Sequence, residues 1–285
     1  MATGRSRGYS IPPPRTTHAA WPAGRKAYRR RRRLLTRCEA HSYHQVTLNS
    51  GTGAAPSPKA CARLAGICAV IFDMNGLLVD TEGLHAAATC EVLAGCGVAC
   101  DRLDRVEFCG VTDRDMFRTL KRRHQLQESE DELCRRKAAA MAGRMGGGPT
   151  PLPGVPGVPL ELRRRGYLLA VASSSDYESV RAVLEHVGLK DGVDVVVSGA
   201  EVRRGKPAPD VFLEAASRLD VEPASCLVVE DAPAGLAAAG AAGMPCVIVP
   251  CAITRSGDFS CATLRLNELP ELLSYLAGPS RTASR

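Results

Sequence analysis

The sequence predicts an α/β fold on a mostly parallel sheet, and three observations lead to it. Short apolar runs rich in valine and leucine alternate with helix-length segments from residue 160 onward, the pattern of βαβ units. A further apolar run at 67–72 precedes this series and is separated from it by a charged, helix-patterned stretch. Polar side chains capable of chemistry follow directly on the strand ends: Asp73, Ser173, and Glu230 with Asp231.

In chain order, residues 67–72 (ICAVIF) read as a buried strand closed by the turn-forming Asp73-Met74-Asn75-Gly76. Residues 84–95 read as a helix, with Leu84, Ala87, Ala88, Glu91 and Val92 at helical spacing. Through 101–143, Val111, Met116, Phe117, Leu120, Leu126 and Leu133 recur among charges and predict several short amphipathic helices. The Gly- and Pro-rich stretch 146–159 closes that unit as a hinge or linker. Beyond it, helices are expected at 160–165, 176–187, 209–219 and 234–242, and strands at 167–172, 193–198, 226–229 and 246–250. Gly188 and Gly243 stop two of the helices, and Pro209 opens another. The expected division is a basic head and linker at 1–65, a core formed by 66–82 with 156–278, and an inserted all-helical unit at 83–155. The core is expected to be Rossmann-like, with helices on both faces of the sheet. No GxGxxG follows the first strand, which argues against a dinucleotide site.

The net charge of +7 conceals two opposite parts. Residues 1–65 hold thirteen Lys or Arg and one acid, Glu39, whereas the remainder holds twenty-four basic and twenty-nine acidic residues. The body is therefore mildly acidic and offers no broad surface for a nucleic-acid backbone. The head is Arg- and Ser-rich with an unbroken arginine run at 29–33. It reads as an organelle transit peptide (chloroplast or mitochondrion), as a nuclear-targeting or nucleic-acid-binding patch, or as a disordered tail, in which case the protein is cytoplasmic. Residues 49–59 read as a linker. The twelve cysteines form no CxxC pair, so a zinc module is not indicated. With no secretory signal at the start, reduced thiols are expected, with a disulfide framework as the rival reading that an even number allows, and Cys68, Cys226 and Cys246 beside apolar runs are expected to be buried. No stretch of 18 apolar residues is present, so no membrane span is expected.

Each polar residue at a strand end has an ordinary reading taken alone. Asp231 could cap a helix, Asp73 could make an Asx-turn, Ser173 could be a cap, and Lys206 could be a solvated surface lysine. All four, however, fall at or beyond the same edge of one sheet, where open α/β sheets bind ligands. Together, Asp73 and Asp231 supply hard carboxylate oxygens, with Glu230 as a third donor or as an orienting group. That set suits magnesium, which also relieves the mutual repulsion of the carboxylates. The Ser173 hydroxyl and the backbone N–H groups of Ser174 and Ser175 can donate to phosphoryl oxygens, and Lys206 adds a cation. A metal-held carboxylate can attack phosphorus in line and form an acyl phosphate.

Four segments then resemble the motifs of the haloacid-dehalogenase superfamily hydrolases. Residues 67–82, ICAVIFDMNGLLVDTE, are similar to the first, an apolar strand followed by Asp-x-Asp-Gly. LLAVASSS (168–175), GKPAPDVF (205–212) and VVEDAPAG (228–235) are similar to the second, third and fourth. The resemblance covers about residues 66–278. It implies Asp73 as nucleophile and magnesium ligand, Ser173 and Ser174 with Lys206 at the phosphate, and Asp231 as a further ligand with Glu230 beside it. The insert at 83–155 would be the family's small helical cap, closing over the site and reading the leaving group. The implied substrate is a small phosphorylated metabolite, a sugar or polyol phosphate. Sugar-phosphate mutases of the β-phosphoglucomutase type share the layout and are the alternative.

Position 75 departs from the pattern. The resemblance calls for an aspartate that acts as general acid and then base, and the chain has Asn75. Its backbone carbonyl can still face the metal, but its side chain cannot deliver a proton, a contribution typically worth about 10²–10⁴-fold. Three explanations stay open: a slow phosphatase favouring acidic leaving groups, a binding or interaction protein that keeps metal and phosphate affinity, or an allelic or deamidating Asn75-Gly76 step. Weaker candidates are Glu82 and His85 at the cap entrance and Arg114 within the cap. Each also has an ordinary reading as a helix-start or surface residue.

Overall fold

The computed structural model describes residues 64–100, 105–144 and 146–278. The basic head and its linker lie outside them up to residue 63, as do the readings made on that segment.

Strand β1 (Ala69–Phe72) is followed by β2 (Val79–Asp80), which pairs antiparallel with β3 (Thr150–Pro151). Between β2 and β3 lie α1 (Glu82–Gly95), α2 (Arg105–Phe108), α3 (Asp113–His124) and α4 (Glu130–Arg144). After β3 come α5 (Gly157–Arg164), β4 (Leu168–Ser173), α6 (Tyr177–His186), β5 (Val195–Ser198) and α7 (Asp210–Leu219). The chain continues with β6 (Cys226–Glu230), α8 (Pro233–Ala241), β7 (Cys246–Ile248) and β8 (Leu264–Arg265). The main sheet runs β5-β4-β1-β6-β7-β8 with every pairing parallel.

Side-chain alternation explains why helices cover both faces. Val70, Phe72, Leu169, Val171, Leu227 and Val229 point to one core, shared with α5 and α6 through Leu162, Val183 and Leu184. Their neighbours Ala69, Ile71, Ala170, Ala172 and Val228 point to the other, shared with α7 and α8 through Phe212, Leu219 and Leu236. This period of two places successive residues on opposite faces, and strands buried on both sides read as continuous apolar runs. A third, smaller core joins α1, α3 and α4 through Val92, Leu93, Phe117, Leu120 and Leu133. This helical unit thus has an apolar centre of its own.

Sequence periodicity located the long elements within a few residues. It did not find β8 or the β2–β3 pair, because two-residue strands carry too little pattern to register. The stretch 146–159, read as a hinge or linker, contains β3 and the first turn of α5.

One sequence expectation is corrected. Cys90 and Cys100 form a disulfide, with Cα atoms 5.2 Å apart. Gly97, at φ 75°, turns the chain back after α1 and brings Cys100 alongside the helix. The eight other described cysteines are free, and Cys226 and Cys246 are buried as expected, whereas Cys68 is half-buried.

Candidate active site

The sheet order creates the site. Chain connections leave β1 toward β4 and β5 on one side and later return to β6 on the other, a topological switch point at which α/β sheets open a crevice. Phe72 is level with both Val171 and Val229. The next residue, Asp73, donates its N–H to the Val229 carbonyl at 2.9 Å. The ends of β1, β4 and β6 therefore deliver Asp73, Ser173, Glu230 and Asp231 to one edge. Asp73, Glu230 and Asp231 each offer an oxygen within 4.8 Å of the others, and all three are buried.

Lys206 enters from the loop before α7 and is 1% exposed. Its Nζ donates to Asp73 Oδ1 at 2.5 Å, to Glu230 Oε1 at 2.7 Å and to the Ala172 carbonyl at 3.3 Å. It also lies 4.8 Å from the Phe212 ring centroid, a favourable cation–π distance. Burial would lower this lysine's pKa, but the charges and hydrogen bonds of Asp73 and Glu230 outweigh it and hold it above the usual range. Glu230 Oε2 accepts the N–H groups of Asp231 and Ala232, both at 2.8 Å. With both its oxygens engaged, Glu230 sets the position of Lys206 and of the turn that carries Asp231.

Asp231 is differently placed. Its carboxylate receives the Thr254 hydroxyl at 3.2 Å, and no cation among the described residues pairs with it. Burial, then Glu230 and Asp73, push it well above the usual carboxylate range. Burial also raises Asp73 to about 7, against the pull of Lys206 and with Glu230 adding to the rise. Three buried carboxylates against one ammonium leave an excess of negative charge, and every donor is a hard oxygen. A divalent cation of the magnesium type fits this set. Gly76 belongs to the same cradle: it has φ +75°, and a Cβ there would overlap the Asp231 carboxylate.

Asn75 is held at both ends of its amide. Thr81 Oγ donates to Asn75 Oδ1 at 2.8 Å, and Asn75 Nδ2 donates to Ser175 Oγ at 3.0 Å. Ser173 is fully buried at the end of β4, and its Oγ accepts the Ser175 N–H at 3.2 Å. The Ser174 hydroxyl donates to the Gly110 carbonyl at 2.7 Å. That bond ties the strand end to the segment between α2 and α3.

A cleft of about 990 Å³ opens over these groups, and Asp73, Asn75, Ser174 and Ser175 line it. Glu82, His85 and Arg114 line it too, on the side of the helical unit. Glu82 opens α1, as its helix-start reading expects, and accepts the Cys109 thiol at 3.2 Å. Burial raises its carboxyl above the ordinary range. Arg114 is exposed and bonded to Asp131 at 2.5 Å. Thr81, Ser175 and Thr254 hold catalytic-edge groups, yet a lone hydroxyl has no sequence signature. Lys137, buried on α4 and paired with Asp113, was equally hidden in a charged run.

His85 supplies a pH prediction. Burial, then the nearby Lys137, lower it to about 4, with Asp113 opposing. The unfolded chain binds this proton near 6.5, so it takes it up first as pH falls. Stability from this group is complete above about pH 6.5 and is lost as pH drops toward about 4. Urea unfolding should show a midpoint falling across that window, and His85→Asn should flatten the decline. An unchanged slope in the variant would remove His85 as its source.

The fold and the strand-edge carboxylates define a hydrolase-type α/β protein with an aspartate-centred anion site. A family model described as haloacid dehalogenase-like hydrolase matches residues 70–249. The chain belongs to that family. It is 36% identical over 187 residues to the fructose-1-phosphate phosphatase YqaB of Escherichia coli K12, across 66% of this chain and 97% of that protein. It is 32% identical to hexitol phosphatase B of the same organism, across 72% of this chain and 94% of the relative. The crystal structure of CbbY from Rhodobacter sphaeroides in complex with phosphate superposes with a TM-score of 0.64 at 30% identity, covering 72% of this chain and 96% of that one. No helix among the described residues is long and apolar enough to cross a membrane.

Proposed function

We propose that this protein is a magnesium-dependent phosphatase of a small phosphorylated sugar or polyol, working through an aspartyl-phosphate on Asp73. The observation that carries this reading is the meeting of Asp73, Asp231 and Lys206 at one buried strand edge beneath an open cleft. Relatives named as phosphatases of fructose-1-phosphate and hexitol phosphates support the substrate class.

In this reading Lys206 fixes Asp73 Oδ1, leaving Oδ2 to attack phosphorus as the bond to the leaving oxygen breaks. Asp73, Asp231 and the Asn75 carbonyl would hold the cation, with Glu230 orienting them. The cation supplies Lewis-acid charge stabilisation at the phosphoryl oxygens when bound. Ser173, the N–H groups of Ser174 and Ser175, and Lys206 supply the remaining positive edge. The departing alkoxide takes its proton from solvent, since Asn75 cannot provide one, and water then hydrolyses the acyl phosphate. That deficit slows alkyl phosphates most and disfavours a mutase, which needs the acid and base in both half-reactions. Residues 83–155 act as the cap, excluding water and reading the leaving group. The basic head is proposed as an organelle-targeting segment.

Phosphate release across a panel of sugar and polyol phosphates tests the reading. Turnover should need Mg²⁺ and vanish in Asp73→Asn. Because the cation competes with protons on Asp73 and Asp231, its thermal stabilisation of the chain should be larger at pH 8 than at pH 6. Full turnover after chelation, or in Asp73→Asn, would refute the mechanism.

A further inference from the structure

Five arginine and lysine side chains line the cleft: Arg114, Arg118, Arg135, Lys137 and Arg203. Four already have carboxylate partners. Arg114 is bonded to Asp131 at 2.5 Å, Arg118 to Asp115 at 2.6 Å, Arg135 to Glu132 and Lys137 to Asp113. Arg203 is different: it is exposed, and no carboxylate among the described residues pairs with it. Its neighbour Arg204 is bonded to Asp210 at 2.8 Å, so the contrast holds within one loop.

The position of that loop gives the contrast meaning. Arg203 is three residues before Lys206, whose ammonium touches Asp73. Three residues of extended chain span at most about 11 Å, so the backbone of Arg203 stays close to that of Lys206, and Arg203 lines the same cleft as Asp73. The loop is pressed against the helical unit, since a Cβ on Gly205 would run into the Thr112 side chain at the start of α3. Arg203 therefore lines the cleft where this loop meets the helical unit. A neutral polyol offers it only uncharged hydroxyl oxygens. A second phosphate or a carboxylate offers charged ones, and a guanidinium fork matches either by bidentate hydrogen bonds.

We infer that Arg203 is a specificity residue that binds a second anionic group, so that the preferred substrate carries a negative charge at the end opposite the scissile phosphate. This deepens the phosphatase reading and rests on it. A charge-assisted pair of this kind corresponds to roughly tenfold to hundredfold in affinity.

The full chain with Mg²⁺ is assayed on a hexitol monophosphate, a sugar bisphosphate, a phosphorylated sugar acid and p-nitrophenyl phosphate. The expected result is a higher kcat/KM for the bisphosphate or for the sugar acid, whichever anion the residue takes. Arg203→Gln should lower that value roughly tenfold to hundredfold, chiefly through KM. It should leave hexitol phosphate and p-nitrophenyl phosphate unchanged, and Arg203→Lys should recover part of the loss. Equal loss on all four substrates, or no loss on any, overturns the assignment. If the unchanged protein hydrolyses none of them, the phosphatase reading fails. Calorimetric binding of the bisphosphate with Mg²⁺ then decides on Arg203 separately. Weaker binding by the variant supports the inference, and equal binding overturns it.

Discussion

Replacing Asn75 with aspartate is expected to raise hydrolysis of sugar phosphates by about 10²–10⁴-fold, the usual contribution of a positioned general acid. The site is already shaped for the change. Thr81 donates to Asn75 Oδ1, and Ser175 accepts from Nδ2. A carboxylate of the same size would keep the first bond, and the Ser175 hydroxyl can rotate to donate instead. The gain should be largest for alkyl phosphates, whose leaving oxygens need the proton, and small for p-nitrophenyl phosphate, whose leaving group does not. Steady-state rates on fresh samples, checked by mass spectrometry for deamidation at Asn75-Gly76, provide the measurement. Equal rates for the two proteins would mean that Asn75 is not the deficit proposed.

Replacing Lys206 with methionine is expected to cost about 3–5 kcal/mol of stability, the usual effect of removing one partner from a buried ion pair. Lys206 and Glu230 are fully buried and Asp73 nearly so, and the ammonium bonds both carboxylates. Methionine fills a similar volume but leaves two carboxylates facing each other without a cation. For a body of this size, such a loss lowers Tm by on the order of 10 °C. The deficit should shrink as pH falls and the carboxylates take up protons, and it should shrink with added Mg²⁺. Thermal unfolding at several pH values reads both effects. A Tm unchanged at neutral pH would show that the triad contributes nothing to folding.

These two residues also show how unevenly the site could be read from sequence. Asp73, Ser173, Lys206 and Asp231 were legible because each lies at a strand end or in the loop before a helix, and strand ends can be located from apolar runs. Asn75 was legible as a departure only because the surrounding motif fixed what should stand there. Lys206 was legible as a cation near the strand edge, but its two hydrogen bonds, to Asp73 and to Glu230, were not, since those residues are far apart in the chain. Glu230 was left between ligand and orienting group, and its two N–H contacts favour the second role. Ser174 was grouped with the phosphate donors for its backbone N–H, and the bond from its hydroxyl to the Gly110 carbonyl was not legible. The Cys90–Cys100 disulfide ran against the expectation of reduced thiols, because pairing depends on how the chain turns after α1.

By itself, the sequence determined the alternation of strands and helices and the order of the polar residues along it. Local periodicity and turn chemistry act over a few residues and need no partner. Only the tertiary structure decided which groups meet: the triad around Lys206, the two hydroxyls holding Asn75, and a cleft in which Arg203 alone among the lining arginines and lysines has no carboxylate partner among the described residues. Those contacts depend on the order in which strands lie side by side. That order is set by crossovers and by burial on both faces of the sheet, which no local stretch of sequence records.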